Sequence, residues 1–479
     1  MSDSRGASPA GSSVDEHRER GLSRGALSWA LFQGARDPYV ILITIYIFSP
    51  YFANVMVGDS VRGQGMVADI GMTYGLIAAI TGPLLGVAID QSGARKPLLA
   101  LMVGLMAPLT ACLWFAAPDG SGLPVAGVAA ILIMVGVLFA WNEVMHNALL
   151  GQAAGPHQAA HASGLALALG AACSVAMLVF VLWAFALPGH VGWSFIPATP
   201  LFGLDVAAHE PDRIVGPLVG AFMIVASLPL FFFTRDVGAT DIHPLRALRS
   251  SLREVIATLR GLKSHRDTAV FLAARMVYTD GMTALLLFGG VYAAGVMQWG
   301  VLEMLAFGIC LSLCGVAGGV LAGWFDTLFG PKRAVQVEIL GAVLCLTAQL
   351  GMARDRLFFV MPFDPASPAV WNGPMFRSLP EVIYLALGCG VAVFVTGSYA
   401  SSRTLMVRLA PAERAAAFFG LYALSGTVTM WLGSMLVKFA TAAFQSQRAG
   451  FMPIALLLLA GLAGTFFIRG GGPLKRPAA

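Results

Sequence analysis

The sequence predicts an all-α integral membrane protein with twelve transmembrane helices in two six-helix, pseudo-symmetric halves, and three observations carry that expectation. Hydrophobic residues make up 57% of the 479 and charged residues only 11%, whereas an ordinary soluble domain is about a quarter charged. Twelve apolar stretches approach the ~20 residues that one crossing of the hydrocarbon requires. A short loop holding an acid, a glycine and paired cations occurs twice, with Asp90 returning as Asp326 almost half a chain later.

The elements follow in order. Residues 1–25, rich in Ser, Gly, Arg and Glu, read as a disordered cytoplasmic tail. Residues 26–32, with Leu27, Trp29, Leu31 and Phe32, read as a short amphipathic helix lying at the interface. Spans are expected near 38–57, 67–90, 97–117, 124–150, 161–187 and 213–234, giving an N-terminal half over 26–234. A polar cytoplasmic linker, 235–268, leads to a C-terminal half over 269–468, with spans near 269–296, 301–324, 333–351, 381–402, 415–440 and 450–468. Residues 469–479 form a second cytoplasmic tail. With both termini inside, 22 Lys and Arg fall on cytoplasmic segments and seven outside, Arg275 alone lying within a span. That bias is the positive-inside signature of a multi-pass protein, by default in a plasma or bacterial inner membrane.

Composition also excludes function classes. A net charge of +5 is ordinary for the cytoplasmic loops of a membrane protein and gives no ground for a nucleic-acid partner. All six cysteines fall in apolar stretches; Cys310 and Cys314 share a helix face, but with no His beside them they read as small core residues and not as a metal site. No Walker loop, nucleophile elbow, zinc-type His spacing or paired loop carboxylates supports an enzyme. No cofactor is expected beyond a coupling proton or cation.

Gly86, Asp90, Gly93, Arg95 and Lys96 stand in a loop too polar for hydrocarbon. Their spacing resembles the signature loop between the second and third helices of the major facilitator superfamily of secondary transporters. Asp326, Gly330, Lys332 and Arg333 repeat it with one extra residue between acid and glycine, as two parallel halves around one central site would show. Four further places resemble one branch of that superfamily, the vacuolar amino-acid effluxers linked to autophagy and their bacterial relatives. They are Ser28 to Tyr39 running on to Ile45 to Phe52, His146 to Leu150, Tyr278 to Gly281 with Phe288 to Tyr292, and Ser402 to Met406 with Phe418 to Tyr422 and Ser425-Gly426. Phe32, Gln33 and Gly34 stand where that branch has Tyr-Asp-Trp, and Gly151 where it has proline. The resemblance implies the major facilitator fold and rocking of two halves around a central cavity lined by spans 1, 4, 7 and 10. It further implies amino acids as the substrate class, and contact of Asp90 with the start of span 11 around 415–418 when the cytoplasmic side is closed.

Polar residues favour those four spans, and from them come the candidates for the substrate or proton pathway: Tyr46 in span 1, Glu143, His146 and Asn147 in span 4, and Arg275, Tyr278 and Asp280 in span 7. Asp280 lies some ~18 Å into its span, near the midplane, where a carboxylate is costly unless paired, hydrated or protonated. It reads as a proton carrier, the alternative being a helix cap or a partner for Arg275, and Arg275 as either that partner or a snorkelling cation. Glu143, His146 and Asn147 at i, i+3 and i+4 share one helix face and read as a gate or relay, through Arg275 or Arg403. Arg95 and Lys96 read as topology signals, Asp90 as conformational.

The reading reached is a secondary-active transporter of a small solute by alternating access, proton-coupled, acting as a monomer in the bilayer. Its alternatives are a cation-coupled symporter of sugars or other organic solutes and, from another class, a transport-dead sensor or polytopic membrane enzyme.

Overall fold

In the computed structural model residues 22–92, 95–236, 262–409, 421–422, 425–426 and 428–470 are described, with only the backbone for 83–92, 155–161, 263 and 430. Without water to bond to, an apolar chain crossing lipid must satisfy each peptide group within its own segment, and helices are the outcome. They are α1 Arg24–Met56, α2 Ser60–Ser92, α3 Lys96–Phe115, α4 Val125–Ala154, α5 Ala162–Ala186, α6 Glu210–Phe233, α7 Arg266–Met297, α8 Val301–Phe329, α9 Pro331–Leu350, α10 Leu379–Leu409, α11 Met430–Phe444 and α12 Gln447–Phe466. Eleven are long and apolar enough to cross a membrane; α11 is shorter among the described residues. The described residues nearest the chain ends and nearest the central gap, 22–25, 233–236, 262–267 and 467–470, share one face, here called the terminal face, where Gly470 donates its N–H to Asp267 and Arg266 donates to the Phe467 carbonyl. The opposite, outer face carries a small antiparallel hairpin, β1 Arg356–Leu357 with β2 Met361–Pro362.

Helix neighbours repeat when six is added to each number. α1 packs on α6 as α7 does on α12, α2 on α4 as α8 on α10, and α3 on α6 as α9 on α12. Between halves, α2 meets α11 and α8 meets α5. A pair of clamps obeys the same relation: Lys96 Nζ donates to the Thr234 carbonyl closing α6, 2.8 Å, and Lys332 Nζ to the Ile468 carbonyl beyond α12, 2.5 Å. Each lysine supplies a cation to the carbonyl end of a helix, where the dipole favours it. Asp236 completes the first clamp, its two oxygens each taking one backbone N–H, from Arg95 and Lys96, at the start of α3.

Several expectations are corrected. Residues 26–32 do not lie at the interface; they open α1, where Ala26, Trp29, Ala30 and Phe32 are buried against α4 and α6 because their apolar side is the bundle-facing side of one long helix. The stretch expected as a loop near 151–160 keeps helical turns in its backbone where the chain passes from α4 into α5. The tenth helix runs on to Leu409, so Arg403 and Arg408 belong to a helix and not to a loop. The expected start of span 11 at 415, the tails 1–21 and 471–479, and 237–261 of the linker lie outside the described residues, as does Gly93; Gly86 and Asp90 fall where only backbone is described.

α1 is not a regular helix. Its turns widen to π geometry over Tyr39–Tyr46 and Phe52–Met56, with a break at Ile47 (φ −119, ψ −70), where the Ile47 N–H bonds back to the Leu42 carbonyl. Pro38 and Pro50 account for it, since each removes a helical N–H and crowds the preceding turn.

Candidate transport site

A cavity of about 750 Å³ lies between the halves, bounded by α1, α4, α5, α7, α8 and α10. On α1 it runs from Gln33 to Tyr46 and on α10 from Arg403 to Tyr384, a length of ~20–28 Å at the helical rise. The terminal-face end is wet: the Glu143 side chain is 52% exposed and Arg403 is exposed. At the outer end Tyr46, Phe307 and Tyr384 are buried and pack ring to ring, Tyr46 edge-on to Phe307 at 6.0 Å and Phe307 on Tyr384 at 6.1 Å.

Close helix approach seals that end. A Cβ on Gly290 of α7 would sit 1.8 Å from the Ile45 carbonyl, and one on Gly308 of α8 2.8 Å from the Tyr46 ring, so both positions bring the halves together only as glycine. Above them α2 and α11 are zipped. Gln64 Nε2 donates to Thr441 Oγ1 (2.9 Å) and to the Gln447 carbonyl (3.0 Å), Gln447 Nε2 donates to the Ser60 carbonyl (2.8 Å), and Lys438 pairs with Asp69 (2.5 Å). Among the described residues the structure is therefore open to the terminal face and closed to the outer one.

Charges on the cavity wall balance: Arg36 and Arg403 against Asp37 and Glu143. Arg36 is buried over the Phe139 ring (4.8 Å) and its Nε donates to Gln33 Oε1 (3.2 Å); Glu143 Oε2 stands 3.8 Å from Nη2 and Asp37 Oδ1 4.0 Å from Nε. Gln33 Nε2 donates to Asp37 Oδ1 at 2.7 Å.

Of the residues that the sequence singled out, Tyr46, Glu143 and Arg403 line this cavity. The others sit elsewhere. His146 is fully buried, stacked on Trp29 (4.3 Å) in a reciprocal clasp: Trp29 Nε1 donates to the His146 carbonyl at 2.7 Å, and His146 Nε2 bonds the Trp29 carbonyl at 2.8 Å. Asn147 is exposed outside the cavity. Tyr278 ties α7 to α10 through Ser402 Oγ, 2.7 Å. Arg275 neither snorkels nor meets Glu143 or Asp280; it lies on the Tyr422 ring (3.6 Å), and its Nη1 donates to the Tyr422 carbonyl and to Ser425 Oγ, 2.7 Å each. Asp280 is 2% exposed, and both carboxylate oxygens lack a hydrogen-bond partner among the described residues. It faces α11, where a Cβ on Gly433 would come 3.5 Å from its Oδ2. In the second loop, Gly330 (φ 79) makes the turn between α8 and α9, the Asp326 carbonyl accepts its N–H at 3.1 Å, Lys332 forms the second clamp and Arg333 is exposed.

Two sets of residues escaped the sequence reading. Gln33, Arg36 and Asp37 share a face at i, i+3 and i+4, a visible signal that was lost because the first span was begun at 38. Glu338 is a lone carboxylate inside α9, 1% exposed, taking Ser401 Oγ at 3.0 Å on one oxygen, with no partner among the described residues on the other. A single acid in an apolar stretch was the available signal.

Residues 204–470 match the family described as vacuole effluxer Atg22 like. The chain is similar to the major facilitator-type transporter YxiO of Bacillus subtilis (strain 168), 19% identical over 448 residues that cover 92% of this chain and 94% of YxiO. It is also similar to a triacylglyceride transporter of Mycobacteroides abscessus, 26% identical over 389 residues, 72% of this chain and 71% of that protein. Among solved structures, a point mutant of the nucleoside transporter NupG superimposes with a TM-score of 0.62 at 9% identity, covering 94% of this chain and all of that one.

Proposed function

Because the chain belongs to the Atg22-like vacuole effluxer family, itself a branch of the major facilitator transporters, we propose that this membrane transporter moves a small organic solute, amino acids being the class the family suggests, by proton-coupled alternating access. The observation that carries the mechanism is the cavity between two halves, open at one face and zipped at the other. Rocking the halves about that site would open α2 from α11 and close the wet end. The positive-inside bias assigns the terminal face to the cytoplasm, so this state is inward-facing.

Asp280 is the proposed proton carrier. A buried carboxylate with no side-chain donor among the described residues, only the Gly433 backbone amide facing it, is costly as an anion at that depth, and it sits on the α7–α11 contact that must move when the outer zip opens. A second reading, an amphipathic lipid-like solute, is favoured by the cavity's largely aliphatic wall, with Ile41, Ile45, Leu285, Leu311 and Val391, and by the triacylglyceride transporter among the relatives.

The test is uptake of a pooled set of labelled amino acids into proteoliposomes, with and without a pH gradient, comparing wild type with Asp280→Asn. Gradient-driven accumulation that is lost in the variant is expected. Accumulation unchanged by the substitution would remove Asp280 from the mechanism, and flux of labelled acylglycerol without any of amino acids would favour the second reading.

A further inference from the structure

We propose that Arg36 anchors a carboxylate of the transported solute and that Glu143 is a placeholder which the solute displaces; this rests on the transport reading and adds the chemistry of the solute's head group. Little of the Arg36 guanidinium is used. Arg36 is 4% exposed on the cavity wall, yet its one hydrogen bond in range is Nε to Gln33, and Nη1 has no partner among the described residues. Charge-assisted N–H to carboxylate bonds close to about 2.7–2.9 Å. Both neighbouring acids stand roughly 1 Å beyond that, Glu143 at 3.8 Å and Asp37 at 4.0 Å.

The two acids differ in freedom. Asp37 is pinned, with Oδ1 receiving the Gln33 amide and Oδ2 lying over bare Gly170, where a Cβ would come within 2.0 Å. It cannot swing to Nη1. Glu143 is half exposed at the wet end of the cavity and, among the described residues, held only by the long contact to Nη2. An anion that takes its place gains the unused Nη1 and the loosely used Nη2 together, the parallel two-point geometry that guanidinium and carboxylate share. The displaced Glu143 carboxylate turns to water, and the wall is left with one uncompensated acid, Asp37, beside the head group. A zwitterion and a plain carboxylate both satisfy this arrangement; an amine alone does not.

The placeholder role has a signature that a structural ion pair lacks: removing Glu143 should improve binding, whereas removing Arg36 should weaken it. The full-length protein in nanodiscs is titrated calorimetrically with a matched five-carbon set, valerate, pentylamine and norvaline. Valerate and norvaline should bind wild type and pentylamine should not. Arg36→Gln should weaken carboxylate binding about 10- to 100-fold, the range for one charge-assisted pair, Arg36→Lys less, and Glu143→Gln should tighten it several-fold. The proposal is overturned if neither carboxylate binds better than pentylamine, if Arg36→Gln leaves affinity unchanged, or if Glu143→Gln weakens it. Glu143→Gln keeps Arg36 in place, so the test survives even if Arg36→Gln fails to fold. Flux is measured separately in proteoliposomes: binding with this pattern but no flux would refute the transport reading and leave the anion subsite standing.

Discussion

Replacing Gln64 with leucine should shift the protein toward the state open at the outer face. Gln64 is fully buried between α2 and α11, and its amide makes two hydrogen bonds, to Thr441 Oγ1 and the Gln447 carbonyl. Its own Oε1 has no partner among the described residues, so nothing is lost on that side. Each hydrogen bond contributes about 1 kcal/mol net; losing both weakens the closed outer face by ~1–2 kcal/mol, a change of about 5- to 30-fold in the ratio of closed to open states. The nearby Asp69–Lys438 pair is partly exposed, 49% and 36%, and adds only ~0.2–1 kcal/mol, reduced by salt. Spin labels at positions 62 and 444, on the outer ends of α2 and α11 and on a cysteine-free background, report the separation by pulsed electron resonance. A longer-distance population should grow in Gln64→Leu and grow further with Asp69→Asn. A distribution that stays unimodal at the wild-type distance in both variants would refute the claim that this network holds the outer face shut.

Lys332→Met should remove the link from α9 to the end of α12, lowering stability by ~1–3 kcal/mol as a charge-assisted bond to a carbonyl is lost, and thermal unfolding in detergent should show Lys96→Met doing the same to the first half. In the outer loop, the bond from His209 to Asp212 (3.1 Å) raises the His209 pKa above its ordinary 6.5. A raised folded-state value means that this contribution is complete below 6.5 and fades as pH climbs through the folded value. Protection from hydrogen exchange over 205–214, corrected for the base-catalysed intrinsic rate, should therefore fall on going from mildly acidic to alkaline pH, and His209→Gln should flatten that dependence; equal corrected profiles for the two would show that His209 contributes nothing there.

The scaffold was legible in the sequence because its rules are local and repetitive. Crossing length, loop charge and the recurrence of the Asp90 loop at Asp326 need no knowledge of packing, and the two clamps at Lys96 and Lys332 sit where that recurrence puts them. The site was less legible because which helix face meets the cavity depends on helix rotation and on where a helix begins. Arg36 and Asp37 were read as lying ahead of the membrane, yet α1 begins at Arg24 and carries both onto the cavity wall. Arg275, Tyr278 and Asp280 are turned away from the cavity: Tyr278 faces α10, Asp280 faces α11, and Arg275 meets Tyr422 and Ser425. His146 has the residue type of a relay, but the Trp29 ring and carbonyl occupy it.

Symmetric backbones with unequal charges suggest a division of labour between the halves. Six residues after the clamp lysine, the first half has Met102 and the second Glu338, both buried. The cavity's two acids, Asp37 and Glu143, belong to the first half, whereas the second half keeps Asp280 and Glu338 out of the cavity, each with at least one oxygen unpartnered among the described residues. Groups that touch the solute should set affinity, and buried acids behind the wall can act only through ion movement or packing. Glu338 is placed for the first of these: Ser401, which donates to it, lies on α10, whose opposite side carries Thr396, Tyr399 and Arg403 on the cavity wall. Glu338→Gln keeps the shape and the Ser401 hydrogen bond but removes the ionisable group. The expected result is gradient-driven accumulation cut at least ~10-fold, equivalent to about 1.4 kcal/mol, with solute exchange across equal pH and binding affinity close to wild type. A matching fall in exchange and thermal stability would instead make Glu338 a packing residue, and unchanged accumulation would confine coupling to other groups.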